Sequence, residues 1–196
     1  MKLGLSLWAA VIITLVGVAF TAPPVVADED RNEAPDTLGF VEWIVLHDTG
    51  VRVKARLDTG AKTSSLHAVN VEPFEKGDEE WVSFELPLDD HKEVEDAEDD
   101  NVVLHFEMPV ERTVLIKRKG AESQRRYVVN MDFCIAGRVY ETQFSLTDRS
   151  RFHYAAILGR RFMGDDDVLV SSSESFLAKN ECDYQTLDEL QAEKDG

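Results

Sequence analysis

The chain has 196 residues, of which 43% are hydrophobic and 9% aromatic, enough to build one folded domain and to exclude a wholly disordered protein. Its 38 acidic and 21 basic residues give a formal net charge of −17, and a surface of that charge repels phosphate backbones. These counts argue against a nucleic-acid partner. Two cysteines exclude a disulfide-dense scaffold and a zinc site made of four cysteines.

The N-terminal segment predicts export. Leu3 to Ala22 carries no charge, follows Lys2, and leads through Val25 to the small residue Ala27, the pattern of a signal-peptidase site. The uncharged stretch is also close to the roughly 20 residues that span a bilayer, so an uncleaved anchor is the alternative. Because Lys2 stays inside, both alternatives export the remainder. We expect a periplasmic domain, either cleaved after Ala27 or anchored in the inner membrane through residues 3–22.

Patterning along the chain predicts four segments. They are a signal peptide or anchor over residues 1–27, an acidic linker over 28–37, a β-rich domain over 38–180 and a polar tail over 181–196. Alternating or apolar runs predict strands over residues 40–46, 51–57, 81–86, 102–108, 114–117, 127–135 and 138–146. The acidic run 89–100 predicts a solvated loop. Short helices are expected only over 160–163 and from Thr186, where Thr186 and Glu189 have the spacing of a capping box.

The two cysteines have two alternatives. In an oxidising compartment Cys134 and Cys182 can form a disulfide, and otherwise both remain thiols, one of them buried as a small apolar side chain. A disulfide requires a short distance between the two Cα atoms, which the sequence does not contain. The pairing therefore stays open at this stage.

Asp-Thr-Gly occurs twice, at Asp48 to Gly50 and at Asp58 to Gly60. The first triplet joins two apolar strands and predicts an exposed hairpin turn. The second ends a regular strand and continues into small or polar residues, whose size lets backbone N–H groups approach a carboxylate. Asp58 is therefore the better candidate for a functional residue.

The segment Ala55 to Ala68, with Asp58-Thr59-Gly60-Ala61 inside it, resembles the retropepsin-like bacterial domain family often labelled an ATP-dependent zinc protease. A second matching segment follows in the expected order, Ile157-Leu158-Gly159-Arg160, preceded by Leu146 to Ser150. The resemblance covers about Val41 to Leu177 and implies an all-β, retropepsin-like acid-protease barrel with one half-site per chain. Some members of this family are associated with glutamate-ligase-like ATP-grasp proteins, and any such partner stays open here.

The resemblance also implies a chemistry. Two Asp58 carboxylates, one from each chain of a homodimer, would share one proton and activate a water molecule for hydrolysis of a peptide or protein substrate. Thr59 would form a hydrogen bond across the dimer interface, Gly60 would leave room for the partner loop, and Ala61 would belong to the same active-site loop. Leu158, Gly159 and Arg160 would support it. No cofactor is implied.

One position departs from the viral members of this fold. They carry an acid four residues after the catalytic aspartate, and this chain has Lys62 there. Arg160 therefore needs another partner, for which Asp148 is the candidate.

Two other functions remain as alternatives. One is a non-catalytic module that binds a peptide or an envelope polymer on the same fold. The other is a zinc-dependent peptidase, for which the five histidines form no His-Glu-x-x-His motif and the chain has no Cys-x-x-Cys. His67 follows the Asp58 loop, where it either approaches Asp58 or is a satisfied polar residue. We therefore predict an aspartic peptidase with no metal site.

Overall fold

The structure is a computed structural model that describes residues 36–88, 91, 102–118, 120–179, 182–186 and 189. The predicted signal segment, most of the acidic linker and nearly all of the acidic run 89–100 lie outside these residues. Over the described ranges the chain is mostly strand with one short helix, which confirms the all-β prediction. No helix in those ranges has the length and apolar character needed to cross a membrane.

The described ranges form twelve strands and one helix. In chain order they are β1 (Thr37–Gly39), β2 (Val41–Leu46), β3 (Val51–Asp58), β4 (Ser64–His67), β5 (Val69–Lys76), β6 (Glu79–Pro87), β7 (Val103–Pro109), β8 (Arg112–Arg118), β9 (Ala121–Ile135), β10 (Arg138–Thr147), β11 (Ala156–Gly159), α1 (Arg160–Asp165) and β12 (Leu169–Ser171). The predicted strands and the helix at Arg160 are present. Both central residues of the β9–β10 turn, Ala136 and Gly137, have positive φ, as a tight hairpin requires.

The main sheet has the strand order β10-β4-β11-β3-β2-β9-β8. An additional pairing of β10 with β9 closes six of these strands into a ring. Strands β5, β6 and β7 form a second, antiparallel sheet, and β1 pairs in parallel with β12. The closed ring places β3, β11 and β4 side by side, and these strands carry the motifs singled out in the sequence.

The apolar core lies on the inner face of the ring. Along β3 the alternation places Val53, Ala55 and Leu57 inside and leaves Arg52 and Arg56 on the outer face. Phe133 sits at the centre, with ring centroids 5.8 Å from Phe144 and 5.3 Å from Phe162 of α1 in edge-to-face geometry. The side chain of α1 that enters the core thus fixes the start of this helix against the strands.

The segment after β12 crosses back over β2, and a disulfide and the side chain of Glu42 hold it in place. Cys134 and Cys182 form a disulfide with Cα atoms 6.0 Å apart, so the alternative of two free thiols is wrong. The second of these contacts is made by Glu42, whose side chain is buried at 1% exposure. Its Oε1 accepts hydrogen bonds from the amides of Gly39 and Leu177, each at 2.6 Å, and of Ala178 at 3.2 Å. A single carboxylate therefore joins the two ends of the domain.

Replacing Glu42 with alanine should lower the free energy of unfolding by about 3 kcal/mol, because three amide donors lose a charged, buried acceptor. Urea unfolding of the oxidised protein measures this change. The exposed Glu174 in the same crossing segment is the matched control, and Glu174→Ala should change stability by less than about 0.5 kcal/mol. Equal losses in the two variants would contradict the role assigned to Glu42.

Candidate active site

Asp58 is the last residue of β3, and its carboxylate is held by the loop that follows. The amides of Gly60 and Ala61 donate to Asp58 Oδ1 at 2.9 and 3.3 Å, and the amide of Ala61 also lies 3.1 Å from the Asp58 carbonyl oxygen. Thr59 and Gly60 are exposed at the tip of the loop, while the Asp58 side chain is half-buried. The loop therefore fixes one carboxylate oxygen and presents the group at the surface of the ring.

The second motif lies directly against this loop. Strand β11 runs parallel to β3 and pairs Leu158 with Leu57 and Gly159 with Asp58. A Cβ on Gly159 would lie 2.5 Å from the backbone of Thr63, so only glycine lets the two segments approach this closely. Leu158 is fully buried in the apolar core. The two motifs that are about 100 residues apart in sequence thus form one unit.

Arg160 supports the loop through its backbone. Its amide donates to the Ala61 carbonyl oxygen at 2.9 Å, and the next amide, of Arg161, donates to the Lys62 carbonyl oxygen at 3.2 Å. The Arg160 side chain is exposed. Two backbone hydrogen bonds therefore join the start of α1 to the loop.

Asp148 lies just after β10, where it holds its own turn. Its Oδ1 accepts a hydrogen bond from the Ser150 amide at 2.9 Å, and the bonds from Ser150 keep the pKa of the Asp148 carboxyl below its usual value. The contacts described for Asp148 are thus to Ser150 and, at 4.0 Å, to His67. The proposed pairing with Arg160 stays a prediction.

The first Asp-Thr-Gly triplet has a different environment. Asp48 is exposed in the turn between β2 and β3, and Gly50 has a φ of 64°. The amide of Gly50 donates to the Leu46 carbonyl oxygen at 2.8 Å, which closes the turn. This triplet is a hairpin turn, as its sequence context predicts.

A buried arginine that the sequence analysis did not select lies on the same outer face of the ring as Asp58. Arg149 is 5% exposed, and its Nη1 donates to Ser65 Oγ at 3.0 Å while its Nε donates to the Tyr154 carbonyl oxygen at 3.1 Å. Ser65 on β4 pairs with Ile157 on β11, and Ile157 pairs with Arg56 on β3. Since paired residues share a face and alternate residues along a strand do too, Ser65 and Asp58 both face outward.

The surroundings of Arg149 shift the pKa of its guanidinium. Burial lowers the pKa of its guanidinium to about 10, the positive charge of Arg126 on β9 acts in the same direction, and the negative charge of Asp58 opposes both. At neutral pH Arg149 is therefore a cation. Among the residues that the structure describes, it is the only buried lysine or arginine.

Two buried histidines hold the backbone of Arg149. Its amide donates to His67 Nδ1 at 2.8 Å, and its carbonyl oxygen lies 3.0 Å from His91 Nε2, which must be the donor because a carbonyl only accepts. The two imidazole rings meet edge to face with centroids 4.7 Å apart. His67 Nδ1 is thus an acceptor without a proton, and of the two expectations for His67 the structure favours a satisfied polar residue.

Metal ligands are not gathered at this site. Among the described residues, no group of three or more histidine, cysteine, aspartate or glutamate side chains is arranged to hold a metal ion. The site that the structure assembles is a carboxylate loop, its supporting backbone and a buried arginine.

The chain is similar to one protein family in sequence and to a solved structure in fold. Residues 37–181 match the family model described as "Retropepsin-like aspartic endopeptidase RimB". The crystal structure of Lpg0085 from Legionella pneumophila, a protein of unknown function, superposes with a TM-score of 0.61 at 30% identity. That match covers 74% of this chain and 98% of the Legionella chain.

Curated relatives carry a different name. Proteins named "Probable alpha-L-glutamate ligase" from Shewanella pealeana and Shewanella halifaxensis are 38% and 36% identical over 141 and 150 residues. The matches cover 71% and 76% of this chain but only 29% and 31% of those relatives. The chain thus spans less than a third of the length of the curated relatives it matches.

Proposed function

The chain belongs to the RimB-like family of retropepsin-like proteins, and on that basis we propose that it is an aspartic endopeptidase. The observation that carries the proposal is the Asp58 loop, in which two backbone amides fix the carboxylate at the end of β3. Gly159 and Arg160 hold the loop from the other side. A loop built to orient one carboxylate is what water activation by an aspartate requires.

The proposed reaction needs a second copy of the chain. One Asp-Thr-Gly loop per chain supplies one carboxylate, so a dyad forms when two Asp58 loops meet across a homodimer. Two carboxylates at short distance share a proton, because both cannot ionise easily. The ionised Asp58 takes a proton from water as the oxygen attacks the peptide carbonyl, and its protonated counterpart polarises that carbonyl. Breakdown of the tetrahedral species expels the amine, which takes up the proton that Asp58 accepted from water.

Two features support action outside the cytoplasm. The sequence predicts an export segment over residues 1–27, and the disulfide between Cys134 and Cys182 is of the kind that persists in oxidising compartments. We propose a periplasmic peptidase, either released after Ala27 or anchored through residues 3–22. A protein or peptide is its substrate.

The ligase name of the curated relatives does not alter this proposal. Most of the length of those relatives lies outside the match, and the Asp58 loop lies inside it. The alternative of a binding module on the same fold makes a distinct forecast. Such a module would bind peptides without cleaving them, whereas an endopeptidase would convert members of a peptide library to products.

Cleavage of a peptide library by the purified protein should be blocked by a peptide mimic that carries a central hydroxyl group, since that group imitates the attacked carbonyl between two carboxylates. The same cleavage should survive an excess of a strong chelator, because no step of the proposed reaction uses a metal ion. Mass spectrometry of the products measures both effects.

A zinc peptidase in the same assay is the control and should lose its activity to the chelator. Inactivation of this protein by the chelator, with recovery on addition of zinc, would replace the aspartic mechanism with the zinc alternative. Binding of library peptides without any cleavage would favour the binding module.

A further inference from the structure

Three consecutive amides where β11 meets α1 are held by the segment that follows Asp58. The amide of Gly159 donates to Ser64 Oγ at 3.1 Å, and the next two amides donate to the carbonyl oxygens of Ala61 and Lys62. The first N–H groups of a helix have no partner inside it, and the residue before α1 is a glycine, which has no side chain to cap them. The Asp58 loop therefore caps the helix from outside, with two carbonyl oxygens and one side chain, that of Ser64.

Ser64 is a buried residue that joins three strands. It is the first residue of β4, is 2% exposed and pairs in parallel with Phe144 of β10. Its carbonyl oxygen accepts a hydrogen bond from Ser145 Oγ at 3.2 Å, while its hydroxyl oxygen accepts the bond from Gly159. Gly159 is itself buried, and a buried amide that loses its acceptor is costly. The Ser64 hydroxyl therefore fixes the position of Gly159.

The position of Gly159 in turn limits the position of the Asp58 carboxylate. Gly159 pairs with Asp58 across β11 and β3, and a Cβ on Gly159 would lie 2.5 Å from the backbone of Thr63, so the two segments have no space to shift apart or together. On the other side of the loop, the amide of Ala61 lies 3.3 Å from Asp58 Oδ1. A continuous set of contacts thus leads from the Ser64 hydroxyl to the carboxylate.

We propose that Ser64 is a positioning residue of the peptidase reaction, whose hydroxyl holds the Gly159 amide and thereby sets the position of the Asp58 carboxylate. This inference rests on the proposed function, in which two Asp58 loops meet in a homodimer. Two-fold symmetry repeats the displacement of one loop in the other, so both carboxylates move when the contact is lost. A misplacement of about 1 Å can lower the rate of an enzyme by about 100-fold, so a small displacement is enough to matter.

A buried serine can also contribute to stability alone, and Ser145 provides the control for that role. Ser145 is likewise buried, lies on the neighbouring strand β10 and donates its hydroxyl to the Ser64 carbonyl oxygen. Ser145→Ala therefore removes one buried hydrogen bond from the same serine but leaves the bond between Ser64 Oγ and Gly159. The two alanine variants differ in which contact of Ser64 they remove.

The first test measures kcat and KM of Ser64→Ala and Ser145→Ala at protein concentrations where sedimentation shows the dimer. Ser64→Ala should lower kcat about ten-fold and change KM by less than about two-fold, because the carboxylate is displaced while no residue exposed to substrate is replaced. Ser145→Ala should keep kcat within about two-fold of the native value, even where its urea unfolding midpoint falls as far as that of Ser64→Ala.

A purely structural role predicts that kcat, corrected for the folded fraction, is the same in the two variants and in the native protein. That result would overturn the proposal. If Ser64→Ala does not fold, Ser64→Cys retains most of the side-chain volume and replaces the oxygen with sulfur, a weak acceptor. A folded Ser64→Cys protein should show the same loss of kcat at nearly constant KM, and native kcat in that variant would equally contradict the role of Ser64.

The second test is hydrogen exchange, which does not depend on peptidase activity. The amides of Ala61 and Arg160 both bond within the unit that Ser64 holds together, and they should exchange about ten-fold faster in Ser64→Ala than in Ser145→Ala. Equal exchange rates in the native protein and Ser64→Ala would overturn the coupling between Ser64 and the loop. Faster exchange in Ser64→Ala, in a protein that cleaves no peptide, would refute the proposed function and support the coupling.

Discussion

Asp58→Asn is expected to lower peptide cleavage by at least about 1,000-fold, which corresponds to about 4 kcal/mol of transition-state stabilisation. The amide cannot accept a proton from water, so the reaction loses its base. Asparagine matches aspartate in shape, and its oxygen can still accept the bonds from Gly60 and Ala61 that Oδ1 now accepts. The folded structure should therefore remain, and circular dichroism with thermal unfolding checks this directly.

The first Asp-Thr-Gly triplet supplies the control for that experiment. Asp48 lies exposed in a hairpin turn, so Asp48→Asn should keep full activity and change stability by less than about 1 kcal/mol. Both variants alter the same residue type in the same tripeptide. Loss of activity in Asp48→Asn with retention in Asp58→Asn would mean that the wrong loop has been assigned.

Strands with clear alternation could be predicted from the sequence, whereas strands whose burial comes from other parts of the chain could not. In β3 every second residue is apolar, and that pattern predicts residues 51–57 of the observed strand Val51–Asp58. Strand β4 is polar in sequence, yet all four of its residues are buried because the Arg149 segment covers its outer face. Strand β11 has four residues, too few to show a period, and β5 is a largely exposed edge strand that contains Pro73.

The residues of the candidate site also divide into those that the sequence predicts and those that only the fold identifies. The Asp58 loop and Gly159 carry local signals, a strand end with small residues and an apolar pair before glycine, and the structure brings them together. Arg149 carries no such signal, because its burial depends on the parallel pairing of β10 with β4 and on His91 from a distant segment. The available clue was an arginine two residues after the end of β10, within the Leu146 to Ser150 segment that resembles the family. Ser65, its partner, is likewise identified only by the fold.

The shared site also requires a dimer. Because the chain is highly charged, dimer formation should depend measurably on salt. Each chain carries a formal charge of −17, so two chains repel one another at neutral pH unless salt screens them. Specific activity should therefore rise with protein concentration and with added salt. Sedimentation at matched concentrations and salt levels should show the dimer fraction rising in parallel.

Mixing variants separates a shared site from a complete site in each chain. With a nine-fold excess of Asp58→Asn and random pairing, only about a tenth of the native chains meet another native chain, so activity per native chain should fall to about a tenth. An equal excess of Asp48→Asn is the matched control and should cause no such loss, because those chains contribute an intact Asp58. If each chain contained a complete site, neither variant would reduce the activity of the native chains. A monomer with full specific activity at high dilution would likewise exclude the shared dyad.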